Sequence, residues 1–147
     1  MSTNALRAAT FGTLLAAALL APASAAEITG NWLTEEGKAT AAIADCGGAL
    51  CGTIVALKEP NDPATGQPKT DKNNADASKR NRPMIGVQIV LKMTPSSAEQ
   101  WKGQVYNAED GKTYTGSLTL QGANAVKLQG CILGGIICKS STWTRKS

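Results

Sequence analysis

From Ile28 onward, apolar and polar residues alternate along the chain. Ala39, Ala41 and Ile43 alternate with Thr40, Ala42 and Ala44, while Ile85, Val87, Ile89, Leu91 and Met93 alternate with Gly86, Gln88, Val90 and Lys92. Such alternation puts apolar side chains on one face of a strand, and helical spacing is nearly absent from the same region. The pattern predicts eight strands, at 28–34, 39–45, 52–58, 85–93, 101–107, 113–120, 125–131 and 138–145. Short polar turns separate most of them, including Glu35-Glu36-Gly37-Lys38, Gln121-Gly122-Ala123-Asn124 and Glu109-Asp110-Gly111-Lys112. The Asp-Gly pair in the last of these is a strong hairpin signal. Eight antiparallel strands in a meander leave two bare edges unless the sheet closes on itself. The expected fold is therefore all-β, an eight-stranded up-and-down antiparallel barrel, which fills its interior with side chains or holds one small ligand.

One segment interrupts this rhythm. Residues 59–83 are rich in Pro, Asn, Asp and Lys and contain no aliphatic residue larger than Ala. Loops of that length are uncommon and are usually functional or disordered. Within it, 74–80 is expected to form one or two helical turns, with an Asn as cap and Lys79 and Arg80 towards the C-terminal end. Asp71 and Asn73 occupy the first and third positions of a calcium-loop pattern, but the sixth position lacks Gly and the twelfth holds Arg82 in place of Glu. The expected role of these Asx side chains is to hydrogen-bond the backbone and order the loop.

Ahead of the strands, Arg7, the apolar run Ala8 to Ala21 and the small-x-small Ala23-Ser24-Ala25 have the form of an export signal. The run is too short to cross a hydrocarbon layer of about 30 Å. The expected organisation is a signal peptide at 1–25 and a single barrel domain at 26–147, periplasmic or secreted and not membrane-spanning. The net charge of +4 is spread along the chain without a basic block, which argues against nucleic acid as a partner.

Export also changes how the four cysteines are understood. Cys46 and Cys51 flank one Gly-containing turn, and Cys131 and Cys138 flank another. Cross-strand neighbours lie within disulfide reach, so each pair is expected to staple its own hairpin. A zinc site is the competing reading, but with no His in the chain it needs four thiolates, and the spacing of the second pair is too wide. The lack of His also removes the usual activated nucleophiles and the commonest general base. Ser140, Ser141 and Lys139 offer no cue beyond composition, and the turn acids Glu35, Glu36, Glu109 and Asp110 are expected to be solvated. No catalytic residue, metal or cofactor is assigned, and the chain is expected not to be an enzyme.

Six elements occur in a fixed order: Gly30-x-Trp32, Cys46-Gly47 to Leu50-Cys51-Gly52, Asp71-x-Asn73-Asn74, Arg82-Pro83 to Gly86, Gly111-Lys112-Thr113-Tyr114 and Trp143-x-Arg145. Together they resemble a bacterial secreted family catalogued as domain of unknown function 2147, over essentially the whole chain after residue 25. The resemblance implies a lipocalin-like barrel and no established reaction. Many members carry a Tyr and no cysteine pair in the last hairpin, so the Cys131–Cys138 bridge rests on spacing alone. The chain ends are also similar to the wider calycin group, where a Gly-x-Trp on the first strand packs against an Arg from the last. Gly30, Trp32 and Arg145 are the matching positions and the expected structural latch, with a plain core Trp and a solvated Arg as the alternative.

Two roles follow from these residues. In the first, the barrel binds a small apolar or amphipathic molecule, with Trp32, Trp101, Tyr114 and Trp143 as wall candidates and 59–83 as a lid. In the second, a filled barrel docks an envelope or extracellular protein through 59–83, where Asp71, Asn73, Asn74, Arg80 and Arg82 are the candidate contacts. Small exported barrels that insert a loop into lysozyme are similar in shape. A connected void in the barrel is what separates the two.

Overall fold

The computed structural model describes residues 12–14, 16–17 and 25–147. The export signal expected at 1–25 lies for the most part outside the described residues. A single helical turn, α1 (Ala25–Ile28), leads into eight strands. They are β1 (Gly30–Leu33), β2 (Ala39–Asp45), β3 (Leu50–Leu57), β4 (Gln88–Pro95), β5 (Gln100–Asn107), β6 (Lys112–Leu120), β7 (Ala125–Ile132) and β8 (Ile137–Arg145). Each pairs with the next, β1 pairs with β8, and the sheet is a closed antiparallel barrel. Closure removes both sheet edges, as the meander requires.

Because the connections alternate, the turns after β1, β3, β5 and β7 share one end of the barrel. The turns after β2, β4 and β6 share the other, together with α1. The bridge Cys46–Cys51 spans the β2–β3 turn and Cys131–Cys138 joins β7 to β8, so the two staples sit at opposite ends.

The expected β4 pattern differs from the one observed. The strand begins at Gln88, and Ile85 lies half exposed outside it. Val90 is fully buried and pairs with both Gly52 and Val105, although alternation predicts it outward. The register of β4 shifts against both neighbours, and Lys92 adopts φ 43°. Extra residues of this kind kink a strand and reverse the phase of its alternation, which no period-2 pattern reveals.

The long connection between β3 and β4 is ordered against the outside of the barrel. Asn61 bridges Pro68, Thr70 bridges Pro83, and the Asp71 N–H donates to the Arg82 carbonyl at 3.0 Å. Its helical portion is a single 3-10 turn, Ala77–Lys79, shorter than expected. The cap is Asp76 rather than an Asn, its carboxylate accepting from the Ser78 N–H.

Candidate functional site

The barrel interior has two storeys. The lower one is solid: Trp32, Met93, Trp101 and Leu118 are at most 2 % exposed and pack with Ile43 and Val126. In the upper one the strands present Ala39, Ile54, Ile89, Leu128 and Gly130, which fill less of the bore. A cavity of ≈ 1140 Å³ remains, open at the end that carries the β1–β2, β3–β4, β5–β6 and β7–β8 connections. Trp143, 3 % exposed, forms part of its lining near the packed floor, and Tyr114 lines it from β6. Of the four expected wall residues, Tyr114 and Trp143 thus face the cavity. Trp32 and Trp101 lie beneath it in the packed floor. Strand alternation carries no information about depth along the barrel axis.

The rim of the cavity is polar and largely self-paired. Lys38 meets Glu36 at 3.0 Å, Lys72 meets Asp62 at 3.4 Å and Lys69 meets Glu59 at 3.8 Å. The hydrogen bond that Lys38 donates to Glu36, with the Glu36 charge, holds the Lys38 ammonium above its usual range. The Ala64 N–H and Lys72 hold Asp62 below the usual carboxylate range. Tyr114 donates to Asp110, an interaction that pushes the phenol up. Burial opposes ionisation of Asp110, but Tyr114 and the Lys112 N–H outweigh it and keep the carboxyl low. One side of the rim is apolar instead. The β7–β8 hairpin carries Ile132, Leu133, Ile136 and Ile137 exposed, and Ile132 and Ile137 extend the cavity wall outward.

The five residues considered as contacts for a partner or as parts of a lid are engaged otherwise. The Asp71 carboxylate is fully buried outside the barrel. It accepts from the Tyr106 hydroxyl at 2.5 Å, from Asn74 Nδ2 at 2.8 Å, and from Arg82 Nε at 2.9 Å and Nη2 at 2.8 Å. Arg82 also stands over the Tyr106 ring at 5.9 Å. Arg80 Nε donates to the Asn74 carbonyl, and Asn73 Nδ2 donates to the carbonyls of Ala108 and Glu109. Asp71 and Asn73 thus fasten 59–83 to β5 and the β5–β6 turn, and Asn74 and Arg82 hold the Asp71 carboxylate. Arg80 braces the segment internally, while Asn73 and Arg80 remain exposed. Burial would raise the Asp71 pKa, but the bonds from Tyr106, Asn74 and Arg82, with the Arg82 charge, hold it below the usual range. Burial and the Asp71 carboxylate push the Tyr106 phenol up to about 12.

Sequence reasoning missed Tyr106, which anchors this cluster. The available signal was an aromatic residue on the outward phase of β5, beside Val105, where a solvated face calls for a polar residue.

At the closed end, Arg145 lies over the Trp32 ring, 4.2 Å from its centre. Trp32 Nε1 donates to the Ile28 carbonyl at 2.9 Å. Gly30 has φ 124°, and a Cβ there would stand 3.1 Å from Arg145 Nη1. Gly30, Trp32 and Arg145 therefore meet where β1 closes against β8. All four cysteines are paired as Cys46–Cys51 and Cys131–Cys138. Two disulfides are compatible with an oxidising, extracellular compartment. Among the described residues, no three His, Cys, Asp or Glu side chains converge as a metal set, and no helix is long and apolar enough to cross a membrane.

Comparison with curated proteins finds no match. Among solved structures, the chain is similar to protein HP1028 from the human pathogen Helicobacter pylori, described as belonging to the lipocalin family. The two share 23 % identity over 81 % of this chain and 82 % of that one, with a TM-score of 0.67. That likeness concerns the fold: a lipocalin-like closed barrel. Residues 30–145, from the Gly30-x-Trp32 motif to the Arg145 that stacks on it, match the profile of DUF2147, described as an uncharacterized protein conserved in bacteria, and the chain belongs to that family.

Proposed function

We propose that the barrel binds one small apolar or amphipathic molecule in its open storey, and that the protein does so in the bacterial envelope after removal of residues 1–25. The observation that carries this reading is the cavity itself. Its ≈ 1140 Å³ is somewhat above the range in which most small-molecule sites fall, roughly 300–1,000 Å³, so there is ample room for such a ligand. Such sites are concave and mostly apolar with a few placed polar groups, and the Ile54, Ile89, Leu128 and Trp143 walls beneath a polar rim have that character. Paired cysteines fit an exported chain. Docking of a protein through 59–83 has less support, because Asp71, Asn74 and Arg82 are engaged in one cluster with Tyr106 and Asn73 bonds the β5–β6 turn.

The test is saturable binding of a neutral fluorescent probe, N-phenyl-1-naphthylamine, to the purified protein. Wild type should bind it with a blue-shifted emission, and Leu128→Trp should abolish binding without lowering the melting temperature by more than a few degrees. No saturable binding by wild type, or equal binding by the filled variant, overturns the reading.

A further inference from the structure

The charged residues that line the cavity differ in where they stand. All but one belong to the turns of the rim. Lys139 alone lies on a strand, within β8. It pairs across the ladder with Gly130, so both share the inward face. Gly130 offers no side chain, and the nearest neighbour to a Cβ placed there is Tyr114 at 3.5 Å. Lys139 therefore has an open niche opposite it, with an aromatic residue on its flank. The adjacent Cys131–Cys138 bridge fixes the register that places it there.

The rim also leaves Lys139 without a counter-ion. Glu36, Glu59 and Asp62 are matched to Lys38, Lys69 and Lys72, and Asp110 to Tyr114. Glu35 and Glu109 stand on exposed turns. Among the described residues Lys139 has no ion-pair partner. Below it on the same strand face come Ser141 and then Trp143. Four residues at ~3.3 Å each put the base of the cavity on the order of 13 Å below the Lys139 position.

We infer that the cavity selects an amphipathic monoanion, its acid group held at Lys139 and its apolar body reaching down towards Trp143. This rests on the ligand-binding reading above and adds to it the charge and the orientation of the ligand. An exposed ammonium pairing with a carboxylate should favour the anion over its neutral analogue by roughly threefold to fivefold.

The experiment displaces N-phenyl-1-naphthylamine with decanoate, 1-decanol and decylammonium from wild type, Lys139→Gln, Lys139→Glu and Lys58→Gln. In wild type and Lys58→Gln, decanoate should displace roughly threefold to fivefold better than decanol. Lys139→Gln should erase that preference and leave decanol unchanged, and Lys139→Glu should turn the preference to decylammonium. Equal displacement by decanoate and decanol in wild type, or a preference that survives in Lys139→Gln, overturns the inference while ligand binding stands. Failure of all three to displace a bound probe also overturns the inference, whereas failure of the probe to bind removes the ligand-binding reading and the inference with it. Lys139 is exposed, so melting curves of the variants should match wild type and rule out a folding defect.

Discussion

The Arg145 guanidinium covers the Trp32 indole at 4.2 Å and donates to three backbone carbonyls: Glu27 at 2.5 Å, Thr29 at 3.1 Å and Ala123 at 2.7 Å. One side chain thus ties the lead-in to β1, the floor of the core and the β6–β7 turn. Stacking contributes about 0.5–2 kcal/mol, and charge-assisted hydrogen bonds add to it. Arg145→Met should therefore lower stability by roughly 2–3 kcal/mol, read as a melting temperature on the order of 10 °C lower by circular dichroism. Arg145→Lys should recover only part of that loss, because an ammonium cannot stack as a plane and serve three carbonyls at once. Full recovery by Lys would reduce the contact to simple charge.

The Asp71 cluster sets how stability responds to pH. The native Asp71 carboxyl titrates below its ordinary 3.8, so its contribution is complete above that value and is lost as pH falls through the depressed one. Tyr106 behaves in the opposite sense: its contribution is complete below 10.0 and is lost as pH rises towards about 12. Urea titrations across the two ranges should show Asp71→Asn with a shallower acid limb and Tyr106→Phe with a shallower alkaline limb than wild type. At neutral pH, Asp71→Ala should cost about 2–4 kcal/mol, less than a fully buried pair because Arg82 keeps 37 % exposure.

The two bridges should separate stability from binding. Removing either by paired Cys→Ser substitution should cost about 2 kcal/mol, the loop-closure value for short loops. Loss of Cys46–Cys51 at the closed end should leave probe affinity at the wild-type level. Loss of Cys131–Cys138 should weaken it as well, since that bridge holds Lys139, Ile132 and Ile137 in the cavity wall. Probe titrations of both variants, each below its melting temperature, distinguish these outcomes.

Gly111 and Gly122 both have left-handed backbone, at φ 74° and 78°, yet they should respond differently to Ala. A Cβ on Gly122 meets nothing within 4 Å, so only backbone strain of about 1 kcal/mol is expected. A Cβ on Gly111 would fall 1.6 Å from the Asn73 carbonyl oxygen, where 59–83 presses against the β5–β6 turn. Gly111→Ala should cost on the order of 3 kcal/mol and expose 59–83 to limited proteolysis, whereas Gly122→Ala should leave the digestion pattern unchanged.

The barrel was legible in the sequence because strand and turn signals are local. Asp110-Gly111 and the Cys46–Cys51 turn lie between the strands they connect, and alternation is a property of neighbouring residues. What escaped depends on distance. Shifts of register against β3 and β5 accompany the turning of Val90 inward and of Leu91 into an outer groove, and they arise from pairing with those strands. The Asp71 cluster joins residues 35 positions apart through Tyr106, and nothing near Asp71 announces it. The segment 59–83 was recognisable as a connection, but nothing in its polar composition distinguishes Asp71 and Asn74, which are buried, from the exposed residues around them. Trp32, Trp101, Tyr114 and Trp143 were recognisable as candidates for the barrel interior, and their division between floor and wall was invisible because depth belongs to the closed barrel.

That division along the axis has an evolutionary reach. Trp32, Met93, Trp101 and Leu118 carry the packing below, while Ala39, Ile89, Leu128 and Gly130 border empty space above. A substitution above changes the shape of the void and leaves the floor intact. Such a scaffold can acquire a new cargo one residue at a time without relearning how to fold.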